Sequence, residues 1–196
     1  MSIRHPAGWY PLLLAAASIG IANSVVFSLL SNLQDKYGFS DAGLGLIAGS
    51  GFLVGLIGEV LLAPLADRGH SKRLLIAGLG MAVLGSVLFA LAGSLLTLVL
   101  ARAVVGLSNS LFGPASRAIA IGDCDADMPK RLGTLTGVDL AGFVTGPMIG
   151  GLLVGPYGLR VPFLVAGSFA FAAALMLMPR PLKPRRRTML ACRARR

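Results

Sequence analysis

Apolar residues in this chain do not alternate with polar ones; they run in long blocks separated by short clusters of charge. A helix crossing a ~30 Å hydrocarbon layer needs about 20 mostly apolar residues, and six blocks approach or exceed that length. Trp9 to Leu30 contains no charge. Gly43 to Ala66 carries one, Glu59, and ends at the cluster DRGHSKR (Asp67 to Arg73). Leu74 to Ala92 is free of charge, and a break at Gly93 and Ser94 separates it from Leu95 to Ile121, which includes Arg102 and Arg117. The last two run from Leu132 to Val154, with Asp139 inside, and from Leu159 to Met178. The pattern predicts an all-α polytopic membrane protein. Its six transmembrane helices occupy 9–178, between a cytoplasmic amino terminus at 1–8 and a basic cytoplasmic tail or linker at 179–196.

Composition agrees: 55% of the 196 residues are hydrophobic, only 13% are charged, and the mean hydropathy is +0.78, too apolar for an ordinary soluble domain. The first block is read as a retained helix, because it is longer than a signal-peptide core and no small-x-small cleavage pattern ends it. The net charge of +10 is largely a topology signal. All of the 18 lysines and arginines except Lys36, Arg102 and Arg160 fall on one side of the predicted spans, and that side is the cytoplasmic one. Both termini are therefore expected in the cytoplasm, with the chain in a bacterial-type plasma membrane and a basic face toward anionic lipid. Basic residues scattered over loops that flank a membrane are not a nucleic-acid module. Cys124 and Cys192 fall on the reducing side, so no disulfide is expected. His5 and His70 both occupy loops, and no nucleophile lies beside a base, so neither an enzyme nor a cofactor or metal site is expected.

Glycine and proline cost about 1 and 3 kcal/mol inside a water-soluble helix, yet the fifth block contains GFVTGPMIGG (Gly142 to Gly151). In lipid, small residues allow two helix backbones to approach closely. At 100° per residue Gly142, Gly146 and Gly150 share one narrow stripe, with Pro147 beside it and a bend expected there. Asp139 belongs to the same stripe and points inward. On the fourth block Arg102, Gly106, Asn109 and Gly113 share a face, and the second offers Gly51, Gly55 and Glu59 at four-residue intervals. Ionisable groups at such depth cost about 2.5–3.5 kcal/mol on insertion scales and mark pathways, proton relays or pairs. Asp139 and Arg102 are the first candidates for a polar core, with Glu59 and Asn109 behind them. Arg102 and Asp139 are not expected to pair directly, since the spans place them about 10 Å apart along the membrane normal.

Three stretches resemble signatures of the major facilitator superfamily. APLADRGHSKRLL is similar to the loop signature G-x-L-A-D-R-x-G-R-[RK], matching at Asp67, Arg68 and Lys72 and departing at Ala63, His70 and Ser71. RAVVG (Arg102 to Gly106) resembles R-x-x-x-G, and GFVTGPMIGG fits G-x-x-x-G-P-x-x-G-G, the pattern typical of antiporting exporters. The resemblance covers residues 9–180. It implies a six-helix bundle of two inverted three-helix repeats, the amino-terminal half of a transporter that rocks against a second bundle. The short echo of GFVTG by GFLVG (Gly51 to Gly55) is weak in a chain with 26 glycines.

The resemblance also implies roles. Asp67, with Arg68, Lys72 and the neighbouring Arg73, would latch a cytoplasmic gate. Arg102 would tune the protonation of an acid. Gly106, Gly142, Gly146, Pro147, Gly150 and Gly151 would form pliable packing surfaces. Exporters of this type often carry a carboxylate in the first helix, where this chain has Asn23, leaving Asp139 or Glu59 to take a proton. The expected partners are a small-molecule substrate, protons, lipid, and a second six-helix bundle or a second copy; nucleic acid is not among them. The tail PRPLKPRRRTMLACRARR reads as the start of a linker between halves, as an out-of-frame end, or as an anchor to anionic lipid. Two functions stay open: half of a proton-coupled exporter, or a truncated, non-transporting membrane protein or helical interaction partner.

Overall fold

The computed structural model describes residues 8–121 and 127–180, apart from the side chains of Asp67 and Arg68. Among these residues the regular structure is entirely helical. The elements are α1 (Trp9–Ser24), α2 (Leu30–Tyr37), α3 (Asp41–Leu65), α4 (Ser71–Leu91), α5 (Leu95–Ile121), α6 (Met128–Tyr157) and α7 (Val161–Leu177). α1 and α2 form one span, joined by a tighter helical segment at Val25–Leu29. Five helical stretches are long and apolar enough to cross a bilayer: Trp9–Tyr37, Asp41–Leu65, Ser71–Leu91, Leu95–Ile121 and Met128–Tyr157. α7, with 17 residues, is the short member.

Local chemistry sets the ends. The first span passes the hydropathic boundary at Leu30 and continues through polar residues to Tyr37, where Gly38 adopts a φ of 68° and closes it. Ser40 caps α3 by accepting a hydrogen bond from the Gly43 N–H at 3.3 Å. At the start of α5, Ser94 and Thr97 satisfy each other reciprocally: the Ser94 N–H donates to Thr97 Oγ1 (3.1 Å) and the Thr97 N–H to Ser94 Oγ (3.3 Å). The reversal between α3 and α4 runs through Ala66–His70, with Gly69 at a φ of 89° and buried Ser71 donating to the Ala66 carbonyl at 3.0 Å. Ser71 stands where the loop signature has arginine, and it closes the turn. α6 continues as one helix through Pro147 and Pro156.

Ordered by their main contacts, the helices run α3, α5, α4, α7, α1, α6 around the bundle, with α5 also meeting α1 and α6. Small residues make the two outer pairings possible. A methyl group on Gly142 would collide with the backbone of Ala17, one on Gly146 with Ser24, and one on Gly20 with the Asp139 carbonyl. The α3–α5 pair repeats this design, since a methyl on Gly106 would strike the Gly51 backbone and one on Gly58 would strike Ser110. Gly150 completes the α6 stripe against Ser28 and Val25. Gly151 is exposed and meets nothing within 4 Å, and Pro147 is half-buried. Elsewhere Phe89 of α4 stacks on Phe163 of α7 at 4.7 Å, and the Tyr37 hydroxyl donates to the Ala92 carbonyl at 3.3 Å.

Lys72 joins two distant ends. Its Nζ donates to the carbonyls of Met178 and Arg180, both at 2.9 Å, so it caps the last turn of α7. Arg131, buried near the start of α6, donates from Nε to the Ala120 carbonyl at 3.1 Å and serves the end of α5 in the same way. The two basic residues thus supply donors to carbonyls that have no partner within their own helices.

Gly142→Ala is expected to lower the thermal stability of the purified chain by about 1–3 kcal/mol, because the methyl meets backbone that cannot move aside. Gly151→Ala is expected to be neutral or slightly stabilising. Melting curves of the two variants in detergent check both, and equal melting temperatures would refute the α1–α6 backbone contact. Lys72→Met is expected to expose the end of α7 and speed amide exchange at Met178 and Arg180 while α1 exchange is unchanged.

Candidate functional site

Arg102 is the largest fully buried side chain among the described residues. It projects from α5 toward the first span, where Nη1 donates to both the backbone carbonyl (2.6 Å) and the side-chain oxygen (2.9 Å) of Asn23. The rings of Phe27 and Phe52 lie 5.0 and 5.5 Å from its guanidinium carbon, and each presents a π-face to the charge. Gly51 provides the space: a β-carbon there would sit 2.6 Å from Nε. Nε and Nη2 have no hydrogen-bond partner among the described residues. Those two nitrogens form the side-on fork with which arginine grips a carboxylate, and no ion pair to Arg102 exists among the described residues. The charge is held by neutral oxygens and aromatic faces.

A second group lies nearer the end of the bundle where α3 stops and α6 starts. Glu59 of α3 and Arg117 of α5 form an ion pair at 2.8 Å, with side chains 43% and 57% exposed. The Asp139 side chain is half-buried and makes no hydrogen bond among the described residues. Its main chain abuts Gly20 of the first span. Charged residues of two neighbouring helices, α3 and α5, are therefore joined here, and Arg102 is not one of them.

Beside Arg102 stands an aromatic cluster. Phe27 stacks on Phe52 at 6.0 Å and tilts against Phe143 at 6.0 Å, so three spans contribute one ring each. Asn109 is half-buried on α5 without a hydrogen bond among the described residues. In the loop after α3, Lys72 reaches α7 and Arg73 is exposed, while the Asp67 and Arg68 side chains lie outside the described part.

Sequence reasoning named Arg102, Asp139, Glu59 and Asn109 but gave none of them a partner. It passed over Arg117, which counted only as one of the basic residues near the cytoplasmic side, and the three phenylalanines, which read as ordinary apolar positions. The usable signal for Arg117 was its depth: Glu59 and Arg117 both lie within two turns of the carboxyl-terminal ends of neighbouring parallel spans. Asn23 was noticed as a missing acid rather than as the acceptor for Arg102.

Comparison with known proteins agrees with the fold. Residues 12–190 match the Major Facilitator Superfamily profile. The multi-drug resistance efflux pump PmrA of Streptococcus pneumoniae is 31% identical over 179 residues, covering 86% of this chain and 42% of the pump. The human vesicular acetylcholine transporter is 35% identical over 190 residues, covering 89% of this chain and 35% of that protein. A crystal structure of a bacterial homolog of the human lysosomal transporter Spinster, inward-facing and unoccupied, superposes with a TM-score of 0.80 at 20% identity, over 92% of this chain and 43% of that one. The chain spans less than half the length of these relatives. With a profile match over most of its residues and helices that cross a bilayer, it is no enzyme: the chain belongs to the Major Facilitator Superfamily of membrane transport proteins.

Proposed function

We propose that this chain is the amino-terminal half of a proton-coupled exporter of small organic molecules, working by alternating access against a second six-helix bundle. The observation that carries the reading is the uneven burial of the spans. In the most apolar stretch of α3 and of α6 only 17% of the residues are buried, against 67% in the first span. These two helices end the ring, each packed chiefly on one neighbour, and they leave Phe52, Leu56, Val144, Met148 and Gly151 uncovered. A second bundle would cover part of that surface, with lipid covering the rest.

Six spans follow when α7, short as it is, is taken as the sixth. Exchanging the first three spans for the last three maps the α1–α6 contact onto α5–α3 and the α4–α5 contact onto α7–α1. That pairing supports two inverted three-helix repeats. It also makes the echo between Gly51–Gly55 and Gly142–Gly146 meaningful, because both sit at a backbone-to-backbone crossing. The termini are assigned to the cytoplasm of a bacterial-type plasma membrane by the lysine and arginine pattern. Asp139 or Glu59 takes the proton, and Asp67, Arg68, Lys72 and Arg73 belong to the gate loop. An organic cation as substrate accords with a multidrug pump and an acetylcholine transporter among the relatives, and the rings of Phe27 and Phe52 already face one positive charge, that of Arg102.

The alternative is a membrane protein that moves nothing by itself, and the incomplete coverage of the relatives favours weighing it. Efflux of a panel of cationic dyes from vesicles containing the chain, with and without an imposed proton gradient, separates the two. Gradient-dependent export that Asp139→Asn abolishes is the expected outcome when a complete two-bundle assembly is present. Unchanged coupling in that variant would remove Asp139 from the mechanism. Absence of export from inserted, folded protein supports the alternative for this chain alone. For the topology, an impermeant maleimide added outside intact cells is expected to leave Cys124 and Cys192 unlabelled.

A further inference from the structure

The guanidinium of Arg102 is fully buried and only partly engaged. Nη1 donates to two oxygens of Asn23, while Nε and Nη2 have no hydrogen-bond partner among the described residues. Arg102 is 0% exposed, so solvent does not serve those nitrogens either. Its contacts Asn23, Phe27, Phe52 and Gly51 carry no charge, and a buried charge is ordinarily paired. We propose that the edge formed by Nε and Nη2 is a binding site for a carboxylate group, reached from the uncovered face of α3. The inference rests on the contacts of Arg102 and needs neither proton coupling nor export by this chain.

The donor set selects the ligand. The N–H groups of Nε and Nη2 point the same way in the guanidinium plane, and they match the two oxygens of a carboxylate with two parallel bonds. A halide offers one centre to two donors. A phosphate dianion would leave a net negative charge in an apolar interior, which is costly, whereas one carboxylate makes the site neutral. Asn23 sets this preference. An acid at position 23 would supply the negative charge internally, but the amide holds Nη1 and leaves the charge uncompensated. Neither Glu59 nor Asp139 takes the place: Glu59 pairs with Arg117, and the Asp139 side chain makes no hydrogen bond among the described residues.

The site lies close to the surface that α3 leaves open. Phe52 is 56% exposed, and its ring centre is 5.5 Å from the guanidinium carbon, so the charge sits one ring beneath that surface. Phe27 and Phe52 stack on each other at 6.0 Å. With ring centres 5.0 and 5.5 Å from the guanidinium carbon, they form a wall on one side of it and not a sandwich around it. An exposed ring changes rotamer without a helix moving, which makes Phe52 the movable part of the cover. With a carboxylate bound, Arg102 is neutralised, and a cation on the outer face of Phe52 meets no uncompensated like charge.

The test reads binding directly and does not depend on transport. The full chain in lipid nanodiscs is melted in increasing sodium acetate, with sodium chloride of equal ionic strength as the reference. A ligand of the folded form raises the melting temperature as its concentration passes the dissociation constant, so acetate is expected to stabilise more than chloride. Arg102→Gln is expected to abolish the difference and Arg102→Lys, which has no fork, to shrink it. Asn23→Asp is expected to weaken the acetate response by about tenfold or more, because the site starts neutral. Equal effects of acetate and chloride on the unaltered chain would overturn the proposal, and so would an acetate response that survives in Arg102→Gln. Should Arg102→Gln fail to fold, the near-isosteric Asn23→Asp decides: an undiminished response overturns the site, and a weakened one supports it. Repeating the titration on a complete two-bundle assembly separates the sources of the group. A retained response identifies a free organic carboxylate as the ligand, and a response lost only there identifies a carboxylate side chain of the second bundle, with the chemistry of the site upheld in both.

Discussion

Helices inside a bilayer gain nothing by hiding apolar surface from lipid that is equally apolar, so close backbone contact has to hold them. In this chain that contact is made at two crossings, the first span on α6 and α3 on α5. Each has glycines on both partners: Gly20 with Gly142 and Gly146, and Gly51 and Gly55 with Gly106. Everything else depends on them. The approach at Gly51 makes room for the Arg102 side chain, and the approach at Gly20 brings Asp139 against the first span.

The buried charges follow from the same crossings. A guanidinium in a low-dielectric interior is costly unless its donors find acceptors, and Nη1 of Arg102 finds two on Asn23 because the first span and α5 meet there. The first span tightens at Val25–Leu29, just after Asn23 and alongside Gly146 and Gly150 of α6. Short tightened stretches inside a longer helix often mark a hinge. Here Phe27, carried by that stretch, reaches Phe52, Phe143 and Arg102 at once. Local backbone form and the aromatic cluster are thus one feature.

The cytoplasm-facing end, by the assignment from basic residues, is held by a different device. Lys72 caps α7 and Arg131 caps α5. In the sequence Arg131 counted only as part of the basic excess that orients the chain, and Lys72 as part of that excess and of the gate loop. Their positive charge is favourable near helix carboxyl ends for the same reason that it is favourable near anionic lipid. One pattern of residues therefore serves topology and helix capping together, without either use being visible in the other.

The sequence by itself determined the apolar helices, within a turn or two, five of them long enough to cross, because the bilayer requires about 20 apolar residues per crossing and permits few charges. It also placed Gly142, Gly146 and Gly150 on one stripe, since the helical period alone fixes which residues share a face. It stopped the first span at Leu30 because hydropathy ends there, whereas the helix ends at Tyr37, where Gly38 takes a positive φ. Partners were left to the tertiary structure. That Arg102 meets Asn23, Arg117 meets Glu59, and Lys72 meets the end of α7 depends on which helices are neighbours and how each is rotated about its axis. Those residues are separated by 79, 58 and more than 100 positions. No local pattern in one segment records the orientation of another so distant, and only packing of all the helices at once decides it.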